Sequence, residues 1–325
     1  MAGQVTANSS NIIRAQVYEQ QLKDILRDNL FANNWVENLD GFPDGTTFNI
    51  ASVGDASVDD YVEDDDVIIR PLSTGNFTFT ITEYLSSGLS MTKKLMQDSW
   101  QSERVMAEFV PKESRAIMEH YETQTLARPE TILGASANGQ YTINGAHHRM
   151  AGGNSGAIEL TDFAYALHAL KKANVPAVNL VAIVDPSVEY NLNTITNLVN
   201  VSTNPMWEGI ITQGIGGTSL RFVKNIYGFD VYTSNYLPDV TDSALPERDG
   251  STTKDYSSTA GKANYFFSAA QDVLPLVGAW RQEPEVDYKY NQDKQRHEFI
   301  TTARYGVKLF RPENMISIAT TPAVS

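Results

Sequence analysis

The chain has 325 residues, of which 42% are hydrophobic and 10% aromatic, which supports a packed core in roughly two domains and excludes global disorder. Its formal net charge of -14 disfavours tight sequence-reading contact with nucleic acid, because such contact depends on Lys and Arg clustered at the phosphates. The absence of cysteine excludes disulfides, thiolate zinc sites and cysteine nucleophiles, and the longest aliphatic run, Leu180 to Val184, is far shorter than the ~20 residues of a membrane span.

Apolar side chains recur at helical spacing in residues 14–39. Tyr18, Leu22, Ile25 and Leu26 fall on one face, and turn-forming Gly and Pro residues follow directly afterwards. The spacing predicts a helix with one apolar stripe that is available for docking.

Two stretches within residues 45–85 alternate between apolar and polar side chains. Phe48 and Ile50 lie in the first stretch, and Phe77 and Phe79 lie in the second, at the period of two that is typical of strands. This pattern predicts a long two-stranded ribbon that cannot bury itself. Because an isolated hairpin is only marginally stable in water, we expect a neighbouring domain or subunit to supply the missing contacts.

The connection between the two predicted strands is strongly acidic and contains no Lys or Arg before Arg70. It is interpreted as a solvated tip, as a tip that meets a basic patch on another subunit, or as an oxygen-ligand site for Ca²⁺ or Mg²⁺, although the spacing does not match the known calcium loop. The acidic residues are Asp55, Asp59, Asp60, Glu63, Asp64, Asp65 and Asp66. The candidate basic partners are Lys93 and Lys94, Lys171 and Lys172, or the set Arg281, Arg296, Arg304 and Arg311.

A long helix is predicted from about Asp98 to about Leu126, ending before Pro129. Pro111 lies inside it and removes one hydrogen bond at a cost of ~3 kcal/mol, so the sequence predicts either a bend or two separate helices there. The glycine-rich stretch 134–156 is interpreted as a loop or a boundary between lobes.

The pattern becomes α/β after residue 160. A helix that contains Phe163 and Leu170 is predicted to end near Asn174, and a further helix is predicted to begin with Asp185 as its N-cap and Pro186 in its first turn. Residues 239–262 are predicted to form an exposed loop. The predicted strands are Leu180 to Val184, Leu220 to Val223, Phe229 to Thr233, Val286 to Tyr290, Arg296 to Ala303 and Val307 to Phe310. Ala263 to Phe267 and Val273 to Leu276 are predicted to belong to the apolar core.

No catalytic constellation emerges from the sequence. His147 and His148 are interpreted as exposed loop histidines, because adjacent histidines chelate one metal poorly. The glycines at 214–217 lack the lysine of a phosphate loop, and Ser155 lacks the glycine spacing of a nucleophile elbow. The sequence therefore predicts no enzyme, no cofactor and no metal, and favours a structural protein that needs partners.

The order of these parts, together with the string Tyr305 to Asn314 that runs from an aromatic-glycine strand into Arg-Pro-Glu, resembles the major capsid proteins of tailed bacteriophages with the Hong Kong 97-like fold. The resemblance implies an α+β fold with an N-terminal arm, an extended β-ribbon loop, a long spine helix, a peripheral domain and an axial domain. The implied segments are the arm and its helix at 1–44, the extended loop at 45–90, the spine helix and first part of the peripheral domain at 91–158, the axial domain at 159–275, and the terminal peripheral strands at 276–325.

What the resemblance implies about function is assembly. Hexamers and pentamers of the chain would form an icosahedral shell around double-stranded phage DNA, made in the bacterial cytoplasm, with the arm and the extended loop contacting neighbouring subunits and Pro111 as a bend in the spine. Residues 46–92 contain no lysine, so no isopeptide crosslink from the loop is expected. The short stretch ahead of the arm leads us to expect a separate scaffolding protein, together with a portal at one vertex, a decoration protein and no membrane. A bacterial encapsulin shell is the alternative, and a metal-dependent hydrolase that uses the paired histidines is a distant one.

Overall fold

The computed structural model describes most of the chain between residues 32 and 321. The described residues are 32–39, 47–53, 58, 60, 63, 66, 74–98, 102–135, 141–153, 156–194, 222–250 and 252–321.

The described residues contain four α-helices and seventeen strands. The helices are α1 (Lys93–Asp98), α2 (Ser102–Leu133), α3 (Leu160–Lys172) and α4 (Pro186–Thr194). The strands are β1 (Val36–Asn38), β2 (Thr47–Val53), β3 (Thr74–Thr80), β4 (Glu83–Thr92), β5 (Thr142–Ile143), β6 (Ala146–His147), β7 (Arg149–Ala151), β8 (Leu180–Val184), β9 (Phe222–Ile226), β10 (Phe229–Thr233), β11 (Asp239–Val240), β12 (Leu245–Pro246), β13 (Thr253–Lys254), β14 (Gly261–Ser268), β15 (Leu276–Asn291), β16 (Arg296–Leu309) and β17 (Ile316–Thr320).

A seven-stranded sheet forms one half of the molecule, in the order β7-β17-β14-β8-β10-β9, with β11 paired to β14. Both faces of this sheet are covered, which explains why β8 is an unbroken apolar run. Ala182 and Phe266 belong to the core on one side with α3 and α4, whereas Ile183 and Phe267 belong to the core on the other side with α2. The period of two along each strand therefore divides the interior into two cores.

A four-stranded sheet in the order β1-β15-β16-β4 forms the other half. The long hairpin β15–β16 turns at residues 292–295. Each arm is one continuous strand, whereas the sequence predicts only Val286 to Tyr290 in the first arm and two separate strands in the second. β15 changes register between Gln282 and Glu285, around Pro284. A proline supplies no N–H to a ladder, so an irregularity is expected there. β4, which the sequence analysis missed, pairs with β16 along its whole length.

Helix α2 joins the two sheets through buried side chains. The hydroxyl of Tyr265 in β14 donates a hydrogen bond to the carbonyl oxygen of Leu126 at 2.7 Å, and the ring of Tyr121 stacks on Trp280 with centroids 5.0 Å apart. Burial raises the pKa of Tyr121 to about 12, so its hydroxyl stays protonated. One side of α2 thus contacts both halves of the molecule.

Two predicted helix ends are wrong. Residues 32–38, expected to be the end of the first helix, form a 3-10 turn and strand β1, because β1 pairs with β15 and Trp35 packs into the core. Helix α2 continues through Pro129 to Leu133, since Leu133 is fully buried and Glu130 is held by Arg149. Tertiary contacts in this last turn outweigh the hydrogen bond that the proline removes.

Two segments predicted as loops carry buried residues. The segment 239–262 contains β11, β12 and β13, and Leu245 and Tyr256 within it are fully buried. The glycine-rich segment contains β5, β6 and β7, and Met150 in β7 is also fully buried. Short strands of two or three residues have too little periodicity to be recognised in a sequence rich in polar and small residues.

A buried charge network closes the C-terminal end of α2. Arg149 in β7 donates a hydrogen bond from Nε to Glu130 Oε2 at 2.8 Å and another from Nη2 to Asp242, and its side chain is 4% exposed. The Ser317 hydroxyl donates to the other oxygen of Glu130. Burial opposes the charge on Arg149, but the hydrogen bonds and charges of Asp242 and Glu130 outweigh it and raise its pKa. The network links α2 to β7, β17 and the segment after β11.

We predict that Arg149→Met lowers the free energy of unfolding by about 3–5 kcal/mol, because it leaves two partly buried carboxylates without their cation. The measurement is urea unfolding of the purified chain. Arg115→Met is the matched control, since Arg115 in α2 is exposed and its ion pair with Glu119 lies at the surface, so this variant should leave the unfolding curve nearly unchanged. Equal losses in the two variants would contradict a structural role for the buried network.

Candidate subunit-contact surfaces

Strands β2 and β3 form the predicted two-stranded ribbon. They pair antiparallel in continuous register from Thr47 opposite Thr80 to Val53 opposite Thr74. The ribbon forms a sheet of its own, separate from the two larger sheets. Its existence and pairing confirm what the alternating pattern predicts.

The expectation that the ribbon cannot bury itself is wrong at its base. Phe79 is fully buried and Ile81 is 4% exposed, and both pack against Ala279 of β15. Gly306 of β16 lies directly beneath them, and a Cβ atom there would come within 3.0 Å of the Ile81 Cα and 3.2 Å of the Phe79 ring. The period of two predicts which side chains share a face, but only the tertiary structure shows that this face lies on the body.

Lys308 of β16 fixes the next part of the ribbon. Its Nζ donates a hydrogen bond to the carbonyl oxygen of Thr78 at 2.8 Å and lies 4.6 Å from the centre of the Phe77 ring. The Phe77 ring also meets the ring of Phe310 edge to face, with centroids 4.7 Å apart. A cation over an aromatic face and an edge-to-face pair are both favourable, so the ribbon leaves the body with three defined contacts.

The described residues of the ribbon tip are exposed. Val58 is 93% exposed, and Asp60, Glu63 and Asp66 are also classed as exposed. Ile50 in β2 is half-buried. The ribbon is therefore anchored at one end and open at the other. The predicted contact residues Asp59, Asp64, Asp65 and Arg70 and the side chain of Phe48 lie outside the described residues.

The predicted arm contacts and the predicted bend of the spine lie wholly or partly outside the described residues. The arm residues Tyr18, Leu22, Ile25 and Leu26 lie outside the described residues. Position 111 lies within α2, which is one continuous helix, so the alternative of two helices is wrong. The side chain of Pro111 lies outside the described residues.

The interpretation of His147 and His148 as exposed loop residues is wrong. His148 is fully buried, its backbone N–H donates to the carbonyl oxygen of Tyr141 at 2.7 Å, and its Nδ1 lies 3.2 Å from the carbonyl oxygen of Met315. The N–H of His147 donates to the hydroxyl of Tyr165 at 2.9 Å. His147 is the last residue of β6, and His148 lies between β6 and β7, so both are structural residues of this short hairpin region.

The described residues give no support to a metal centre or a catalytic site. Among them, no group of three or more His, Asp or Glu side chains is placed to hold a metal ion. Ser155 and the glycines at 214–217 are outside these residues. His120 lies in α2 and His297 in β16, as predicted, and each is placed beside a tyrosine hydroxyl.

Comparison with known proteins decides the family. The phage capsid protein family matches residues 76–318, which is most of the chain. The chain belongs to this family. A comparison with curated proteins finds no match.

Solved capsid structures share the fold of this phage capsid protein. The structure from Mycobacterium phage Che8 is 17% identical with a TM-score of 0.61, and the alignment covers 89% of this chain and 91% of that chain. The capsid structure of cyanophage P-SCSP1u is 15% identical with a TM-score of 0.62, covering 89% and 86%. A virus-like particle from Pyrococcus furiosus is 10% identical with a TM-score of 0.52, covering 94% and 99%.

The capsid family and the fold agree with the class predicted from the sequence, an α+β protein with the Hong Kong 97-like fold. They imply a structural, non-enzymatic protein of the virion capsid. None of the helices in the described parts of the capsid protein is both long enough and apolar enough to cross a membrane.

We predict that Gly306→Ala displaces the ribbon base, because the added Cβ meets Ile81 Cα at 3.0 Å and the Thr80 carbonyl oxygen at 3.2 Å. Crowding of this kind costs about 1–3 kcal/mol and should speed cleavage in the ribbon by a protease. Gly88→Ala in β4 is the matched control, since its nearest atom would be at 3.5 Å. Equal cleavage rates in both variants would show that the ribbon base tolerates the extra methyl group.

We predict that acidification destabilises the capsid protein through His148. Burial lowers the pKa of His148, although the hydrogen bond to Met315 opposes this, and its Nε2 has no hydrogen-bond partner. The neutral, buried form of His148 contributes fully to the free energy of unfolding above the unfolded-state pKa of about 6.5. This stability is lost as the pH falls from that value towards the lower folded-state pKa.

The measurement is the free energy of unfolding at about pH 7 and about pH 5 for the native chain and for His148→Gln. The native chain should lose more stability than this variant. His168→Gln, at an exposed position on α3, should behave like the native chain. If His148→Gln retains the full pH dependence, the effect belongs to other groups.

Proposed function

We propose that this chain is a major capsid protein that assembles into hexamers and pentamers to form an icosahedral shell around double-stranded phage DNA. The family match supports a shell protein, and one structural observation carries the assembly step. The ribbon is anchored on its own body through Phe79 and Lys308 but presents an exposed tip. A two-stranded ribbon extending from the body has too little core of its own, so a contact from another copy is needed to hold its outer part.

The contact surfaces follow from this function. The extended loop at 45–90 contacts one neighbour, and the arm at 1–44 reaches another through its apolar stripe. The domain divisions at 91–158, 159–275 and 276–325 correspond to spine, axial domain and peripheral strands. Pro111 provides the bend in the spine helix that changes between precursor and mature shells, since a proline already lacks the hydrogen bond that bending would break.

The partners are those that shell assembly requires. They are a separate scaffolding protein during assembly, a portal at one vertex, a decoration protein on the mature shell, and packaged DNA that the acidic chain does not bind tightly. Assembly takes place in the cytoplasm of the bacterial host. Residues 46–92 carry no lysine, so the mature shell is braced without an isopeptide bond from the loop.

A second candidate is an encapsulin-type compartment that holds protein cargo in place of DNA. The similarity to the virus-like particle from Pyrococcus furiosus over nearly the whole of both chains favours keeping it. The contents of the shell distinguish the two functions.

The test is electron microscopy of the expressed chain together with light scattering after size-exclusion chromatography, with a co-expressed scaffolding protein. Closed shells or rings of five and six subunits are the expected result, and nuclease-protected DNA in shells from infected cells would identify a phage capsid. Protein cargo in those shells would support the compartment instead. A chain that stays monomeric with its scaffold present would overturn both.

A further inference from the structure

Three exposed lysines gather at one end of the four-stranded sheet. Lys93 and Lys94 begin α1, directly after β4, and Lys294 lies in the turn between β15 and β16. The backbone N–H of Lys93 donates to the carbonyl oxygen of Gln295 at 2.8 Å, which holds the start of α1 against that turn. The pKa of His297 is lowered mainly by burial and secondly by the positive charge of Lys93. The Lys93 ammonium group therefore lies near the His297 ring. We name Lys93, Lys94 and Lys294 the lysine patch.

The lysine patch has no carboxylate partner among the residues that the structure describes. Glu298, the acidic residue of the adjoining strand, already accepts a hydrogen bond from Arg296 and is further stabilised as an anion by Lys289, so its pKa is lowered. The first turn of α1 contains no acidic residue. Because the amino end of a helix carries partial positive charge, adjacent lysines there are unfavourable within a single copy. The fold of one chain gives no reason for their position.

Four of the six other basic groups weighed from the sequence are accounted for within the chain. Lys171 and Lys172 occupy the last turn of α3, where the helix dipole favours cations. Arg296 pairs with Glu298, and Arg311 donates to the carbonyl oxygen of Asp272. These contacts leave the lysine patch as the stronger candidate for docking an anionic partner.

The base of the ribbon lies far from the lysine patch of its own chain. In the β4–β16 register, Glu83 lies opposite Tyr305 and Thr92 lies opposite Arg296, so the lysine patch is ten residues, or about 30 Å, from the ribbon base. The ribbon continues in the other direction, since Phe79 lies at Gly306 and Thr78 is held by Lys308, further from the patch. The described base of the ribbon is therefore directed away from the lysine patch of its own chain.

We propose that the lysine patch of one copy receives the acidic ribbon tip of a second copy. The tip is complementary in charge, because segment 55–66 carries seven carboxylates and no Lys or Arg, and Asp60 and Glu63 within it are exposed. Complementary charges of this kind guide subunits together and fix their register. The inference rests on the proposed function and adds the surface on which the loop would dock. The docking groups are the side-chain ammonium groups of the lysine patch, and the backbone N–H groups at the start of the six-residue helix are not part of the argument.

The first test is charge reversal with rescue in the assembling full-length chain. We expect Lys93→Glu with Lys94→Glu to lower the yield of shells by about tenfold at low salt, and Asp60→Lys with Glu63→Lys in the same chain to restore much of it. Lys171→Glu with Lys172→Glu is the matched control and should leave the yield unchanged. Equal loss in the control, or no rescue in the four-site variant, would overturn the assignment.

The second test is zero-length carbodiimide crosslinking of shells formed by the unaltered chain. The expected product has the mass of two chains and joins Lys93, Lys94 or Lys294 to a carboxylate of segment 55–66. Shells whose ribbon carboxylates join other lysines, or join none, overturn the inference while the proposed function stands. Shells that assemble normally from Lys93→Glu/Lys94→Glu chains but lose packaged DNA would assign the patch to nucleic acid and also overturn it. Failure of the unaltered chain to assemble removes the proposed function, and the inference falls with it.

Discussion

The constraint on which the rest of this structure depends is that one helix must bury side chains against two separate sheets. Helix α2 has 32 residues and is about 48 Å long, which lets it contact both sheets. Tyr265 hydrogen-bonds to its backbone from the seven-stranded sheet, and Trp280 and Tyr305 pack on Tyr121 from the four-stranded sheet. The positions of the two sheets relative to each other are set by these contacts.

The charge network of Arg149 completes that constraint at the end of the helix. A guanidinium that is almost fully buried needs two carboxylates at short range, and Glu130 and Asp242 supply them from different segments. Such a group gives little net stability over an apolar contact of the same size, but it tolerates few alternative arrangements. Its contacts fix the C-terminal end of α2 against β7, β17 and the segment after β11.

The ribbon shows how a shell protein combines rigidity with an open contact surface. Its base is fixed by packing at Phe79 and by the hydrogen bond from Lys308, so its direction is determined before any partner binds. The described acidic residues of its tip, Asp60, Glu63 and Asp66, are exposed. Fixing the direction of the base in the single chain would reduce the entropy cost of the proposed assembly.

The sequence by itself determined the elements whose signal is local. The alternation around Phe77 and Phe79 predicts a strand, Asp185 before Pro186 predicts the start of α4, and the unbroken run Leu180–Val184 predicts a buried strand, all of which the structure contains. Together with the resemblance in the order of parts, these elements were enough for the fold class and the capsid family. Each depends on the backbone preferences and polarity of neighbouring residues, which a sequence displays directly.

Only the tertiary structure decided what depends on residues far apart in the chain. β4 is not recognisable until β16 pairs with it, and helix α2 passes Pro129 because Arg149 and the core hold the turn beyond it. The burial of His148 and the anchoring of the ribbon likewise come from strands more than a hundred residues away. Burial and pairing are properties of the assembled fold, because the free energy of a side chain depends on which surfaces cover it and not on its neighbours in sequence.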